Sequence, residues 1–211
     1  MEKEKALQAL SRELMEAKLP LLESNLVFGE GNINCQVLFI GEAPGQTENQ
    51  LKRPFVGRAG KLLDELIKSV GWKREDVYIT NIVKRRPPEN RDPLPEEIEA
   101  YKPYLSRQIE IINPKIIATL GRFSMNYFLP FAKITRDQGK TFEVNGRVIF
   151  PLFHPAAGLR NPNMLKELKE SFKKLPDVVI EATNLKANAK KEAADAAEPI
   201  QRANRPQDSL F

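Results

Sequence analysis

Four short apolar runs constrain this chain more than any other feature. They are CQVLFIG (Cys35–Gly41), DVYITNIV (Asp76–Val83), PKIIATLG (Pro114–Gly121) and GRVIFPLF (Gly146–Phe153). They are apolar at successive rather than alternate positions, as strands buried on both faces require. Helical patterns lie between them. In Gly57–Gly71 the residues Leu62, Leu63, Leu66, Ile67 and Val70 recur at helical spacing, and Gly71 supplies the stop. Leu94–Asn113 carries acidic residues in its first turn, where they complement the helix dipole. Strands that alternate with helices predict parallel βαβ units and an open α/β sheet covered on both faces. Ligands of such sheets bind beyond the carboxyl ends of the strands.

Those ends deliver polar groups to one edge: Gly41-Glu42-Ala43-Pro44-Gly45, then Asn81 with Lys84-Arg85-Arg86, then Gly121-Arg122, then His154-Pro155. Each has two readings in isolation. Glu42 is either an acid at a pocket mouth or a solvated turn residue. Phe55, between Arg53 and Arg58, either stacks on a base or anchors its loop to the core. Asn81 either reads a base edge, which also offers a donor and an acceptor, or caps a turn. The cations Lys84, Arg85 and Arg86 either meet phosphates or form a solvated loop. His154 is followed by small residues and then by Leu159-Arg160, an apolar wedge beside a cation of the kind that fills a gap in a base stack.

Composition narrows the class. The chain has 211 residues and a formal net charge of +5, compatible with a nucleic-acid partner without demanding one. Cys35 is the only cysteine and His154 the only histidine, so an internal disulfide and a cysteine-ligated cluster are excluded. No apolar run reaches membrane-spanning length, and the charged N-terminus is helical rather than secretory. A cytoplasmic, nucleoid-associated, monomeric protein with no membrane partner is expected. There is no Gly-rich phosphate loop with Lys-Ser/Thr and no dinucleotide fingerprint.

The motifs GEAPGQTE, PFVGRAGKLLD, TNIVKRRPPENR, PKIIATLG and HPAAGLRNP occur here in the order and spacing of the family 4 uracil-DNA glycosylases, and the chain resembles that family from about Phe28 to Lys174. The resemblance implies a three-layer α/β/α sandwich around a central parallel four-stranded sheet. It also implies hydrolysis of the N-glycosidic bond of uracil in DNA during base excision repair. By position, Phe55 resembles the aromatic that stacks on the flipped uracil, and Asn81 the amide that pairs with its N3 and O4 edge. His154 resembles the imidazole that donates to O2, and Glu42 the acid beside the attacking water. Ala43 lies on the uracil side. Leu159 and Arg160 resemble the loop that enters the helix behind the extruded nucleotide. Lys84, Arg86, Gly121 and Arg122 are the further candidates for DNA contact. A non-catalytic DNA-binding or damage-sensing protein on the same fold is the alternative.

One departure is large. The family usually holds a four-iron, four-sulfur cluster on four cysteines, and the corresponding positions here are Leu14, Ala17, Arg85 and Tyr101. Neither cluster nor metal is expected. Apolar packing of Leu7, Leu10 and Leu14, with Tyr101, is expected to hold the N-terminal helix instead. The catalytic domain is assigned to residues 1–178. Residues 179–211, rich in Ala, Lys, Glu and Asn, read as a flexible tail. The tail ends in QDSLF (207–211), which resembles the pentapeptide that docks bacterial repair proteins on the sliding clamp, through Gln207, Leu210 and Phe211.

Overall fold

The four apolar runs become the four parallel strands of one sheet in the structure, a computed structural model that describes residues 2–197. Helix α1 (Glu2–Glu16) precedes the two-residue strand β1 (Glu30–Gly31) and strand β2 (Val37–Gly41). Helices α2 (Gln46–Leu51) and α3 (Arg58–Ser69) lead to β3 (Tyr78–Asn81). Helix α4 (Pro95–Ile112) leads to β4 (Ile116–Leu120). Then come α5 (Arg122–Phe128), α6 (Ile134–Asp137), β5 (Phe142–Val144) and β6 (Arg147–Leu152). The short helix α7 (Pro155–Gly158) and the long α8 (Pro162–Ala197) complete the described chain. The strand order is β1-β3-β2-β4-β6-β5. The inner four strands are parallel, and β1 and β5 add antiparallel edges.

Alternation along the strands splits the core into two layers. Val37, Phe39, Ile79, Ile116, Ala118, Phe150 and Leu152 pack on the face covered by α3 and α8. Leu38, Ile40, Tyr78, Ile117 and Ile149 pack on the face covered by α1 and α4. Both faces of each inner strand are apolar because both are covered, which is why the runs showed no polar alternation.

The N-terminal helix is held by apolar packing as expected, with Leu7, Leu10 and Leu14 buried. Lys3 Nζ adds a hydrogen bond to Ile112 O at 2.9 Å, and Glu13 pairs with Arg107. Tyr101 is fully buried beside this helix, and its hydroxyl donates to Pro20 O at 2.7 Å. Arg85 is also buried, and its guanidinium donates to Ser24 O. The four positions at which the resemblance implies cluster cysteines thus present an isobutyl group, a methyl group, a guanidinium and a phenol. None is a soft donor, and this set does not fit an iron–sulfur cluster.

The domain boundary after residue 178 needs correction. Helix α8 continues through it, Ala182 is buried in the core, and Thr183 Oγ1 accepts from Lys115 Nζ at 2.8 Å. A small alanine lets the helix lie close against its neighbours, so loss of large apolar residues does not mark the end of packing here. The QDSLF segment lies outside the described residues.

Candidate active site

The carboxyl ends of β2, β3, β4 and β6 converge on one cavity of about 470 Å³. Glu42, Ala43, Phe55, Asn81, Gly121, Arg122, His154 and Arg160 line it together, although more than a hundred residues separate the first from the last. Leu159, 43 % exposed, lines a smaller depression that adjoins this cavity and shares Arg160 with it.

Glycine makes the close packing of the site possible at two positions. A Cβ on Gly41 would lie 2.4 Å from Asn81 Oδ1 and 2.5 Å from the Phe55 ring. A Cβ on Gly60 would lie 1.9 Å from Phe55 O. Phe55 itself adopts the left-handed backbone region at φ 50°, a conformation rarely favourable for an aromatic residue. Glu48 secures this loop, because its Oε1 accepts the N–H groups of Val56 at 2.9 Å and Gly57 at 2.7 Å. Phe55 anchors its loop in the apolar core and also forms a wall of the cavity.

Asn81 is buried, and its Oδ1 has no hydrogen-bond partner within the protein. Such an acceptor typically costs about 1–3 kcal/mol when left unmade. Here it belongs to a residue of the cavity wall, where a ligand N–H can satisfy it.

His154 ends β6 and caps α7. Its Nδ1 accepts the Ala156 N–H at 3.1 Å, so the neutral ring carries its proton on Nε2. Protein encloses most of the ring while one side stays open to the cavity. Burial, and then the nearby Arg160 charge, push its pKa down to about 4, against a smaller opposing effect of Glu48. The Phe55 ring lies 5.6 Å from it, centroid to centroid. At neutral pH His154 is thus an uncharged donor.

Glu42 behaves in the opposite sense. Burial first, and then repulsion from Asp92, raise its pKa to about 7, and Arg122 partly offsets them. Arg122 pairs with Asp92 at 2.7 Å and stacks on Phe123. Asp92 and Glu48 thus act on the site, roles that sequence reading missed. Both reach their targets through the tertiary fold, and no local pattern around them points there.

Gly121 is buried with φ 94°, and a Cβ there would lie 3.1 Å from His154 Cβ, so its first effect is room for the histidine. Arg86 is half-buried and donates from Nε to Asn90 Oδ1 at 2.7 Å at the cavity edge. Lys84 is the clear correction. It was expected to face phosphates, yet it is fully buried on the other side of β3, where Thr80, Asn81 and Gln108 accept its hydrogen bonds. No group of three or more His, Cys, Asp or Glu able to hold a metal occurs among the described residues.

Residues 28–176 match the Uracil DNA glycosylase superfamily. The chain is 48% identical to a type-4 uracil-DNA glycosylase of Sulfurisphaera tokodaii over 175 residues, 78% of this chain and 80% of that protein. It is 43% identical to the type-4 enzyme of Archaeoglobus fulgidus, over 82% of this chain and 93% of that one. Against the type-4 enzyme of Thermotoga maritima the identity is 48%, over 68% and 76% of the two chains.

Proposed function

The chain belongs to the uracil-DNA glycosylase superfamily and acts as a uracil-DNA glycosylase in DNA repair, and on that premise we propose how its pocket divides the work. The target nucleotide is extruded from the stack at a cost of about a few kcal/mol. Phe55 stacks on the extruded uracil, with Ala43 leaving space beside it. Asn81 Oδ1 accepts the N3–H and its Nδ2 donates to O4. The Nε2–H of His154 donates to O2. As the glycosidic bond breaks, the base leaves as an anion, and a donor already aimed at its oxygen is worth about 2.7–4 kcal/mol. Glu42, ionised, orients the water and faces the positive charge that develops on the sugar.

Leu159 and Arg160 fill the gap left in the stack, and Arg86, Gly121 and Arg122 meet the DNA backbone. No iron–sulfur cluster takes part, because the four positions supply no thiolate. The enzyme acts as a nucleoid-associated monomer, and its terminal Gln207, Leu210 and Phe211 dock on a sliding clamp. That docking is checked by deleting residues 207–211, which should abolish clamp binding and leave excision on short DNA unchanged.

The observation that supports this reading most is the meeting, in one cavity, of an unpartnered amide oxygen, a neutral histidine donor and a carboxyl poised near neutrality. The experiment is release of uracil from a labelled oligonucleotide, with Glu42→Gln and His154→Ala beside the parent. Loss of release in both variants supports the assignment. Equal rates in all three proteins would overturn it.

A further inference from the structure

The amide assigned to the base sits at the end of a strand whose ladder pairing with β1 stops two residues earlier. Strand β1 pairs with β3 only at Tyr78 and Ile79. The N–H of Ile82 turns inward to Gly41 O at 2.9 Å, so the carbonyl of the same peptide unit, Asn81 O, turns outward past the end of β1. A buried carbonyl there needs a donor. Lys84, three residues further on, supplies it at 2.8 Å. The same ammonium donates to Thr80 Oγ1 at 2.6 Å and Gln108 Oε1 at 2.6 Å. Thr80 Oγ1 spends its own hydrogen on Phe28 O, at 2.8 Å, and the Gln108 Nε2 also donates to Phe28 O, at 3.1 Å. Three acceptors thus face the three N–H groups of an ammonium, and each is fully engaged. Burial pushes this group well below the ordinary lysine range, and the matched acceptors work against that loss of charge.

We propose that Lys84 is a positioning residue for base recognition: by clamping Asn81 O from the opposite face of the sheet, it fixes the Asn81–Ile82 peptide plane and so aims the Asn81 amide. This rests on the assignment of Asn81 to the uracil edge. Lys84 touches neither base nor DNA. Its effect passes through one backbone carbonyl, and a displacement on the order of 1 Å at a reading group can cost about a hundredfold in rate.

A double-mutant cycle tests this. Uracil release is measured with enzyme in excess for the parent, Lys84→Met, Asn81→Ala and the double variant, well below each protein's melting temperature. In the parent background, Lys84→Met is expected to slow release by roughly tenfold or more. In the Asn81→Ala background it should change the rate by less than about twofold, because the group it aims is gone. A similar fold-loss in both backgrounds, or none in the parent, overturns the proposal and leaves Lys84 as scaffold. If Asn81→Ala itself leaves the rate intact, the base-reading assignment fails instead. Should Lys84→Met not fold, Lys84→Gln, which keeps a donor in the same polar surroundings, takes its place in the cycle with the same criteria.

Discussion

Thr80 and Asn81 are neighbours in one strand, yet their side chains enter two polar regions of opposite character. On the α4 face, Thr80, Lys84 and Gln108 form a buried network in which the polar side-chain atoms have partners. On the α3 face, the cavity holds an orphaned Asn81 Oδ1, a histidine kept neutral and a carboxyl held near pH 7. Saturated polar groups rigidify a fold. Unsaturated ones wait for a ligand, and their cost is borne by the rest of the structure. Sequence places a lysine and an asparagine in the same short stretch with no sign of which is which; satisfaction of hydrogen bonds separates them.

The sharpest way to break this contrast is to remove a donor on the open side. His154→Ala should lower the excision rate by about a hundredfold to a thousandfold with little change in melting temperature. Comparable destabilisation with intact turnover would make the cavity histidine structural. On the saturated side the effect should fall mainly on stability. Gln108→Leu strips Lys84 of one acceptor and leaves Tyr78 and Phe28 without its amide. A loss of about 1–3 kcal/mol in urea unfolding is expected, with a rate change smaller than that of His154→Ala. Unchanged stability would mean that the network is idle.

The same distinction explains what was legible in the sequence. The four parallel strands were readable because burial on both faces leaves an uninterrupted apolar run. The short edge strands β1 and β5 were not, since two or three residues carry no period. Helix α8 beyond residue 178 was missed because Ala182 packs by being small, a signal that composition reads as disorder. Glu42, Asn81 and His154 meet in one cavity because strand ends in an open sheet share one edge, and Phe55 reaches it from the loop before α3. Lys84 was misplaced because a lysine next to two arginines looks like surface charge. Its acceptors are Thr80, Asn81 and Gln108, and Gln108 arrives from a helix no local pattern connects to it. Arg85, buried and bonded to Ser24 O, ties its loop to the segment after α1 rather than standing in solvent.

The smallest expected effect is the most specific to the open side. Glu42 is raised to about 7, and the second cause after burial is the charge of Asp92. An ionised carboxylate is the working form, so kcat/KM should rise with pH along a limb centred near 7, with His154 neutral throughout because its own transition lies near 4. Asp92→Asn removes a like charge and also releases Arg122 from its ion pair, 2.7 Å long in the structure. Both changes favour the charged form of Glu42, so the limb must move to lower pH. Asp92 is largely solvent-exposed, so the displacement should be a fraction of a unit and should shrink with added salt. Glu42→Gln should abolish the limb. A limb that survives in Glu42→Gln, or that moves to higher pH in Asp92→Asn, would assign the titration to another group and separate Glu42 from the chemistry of the cavity.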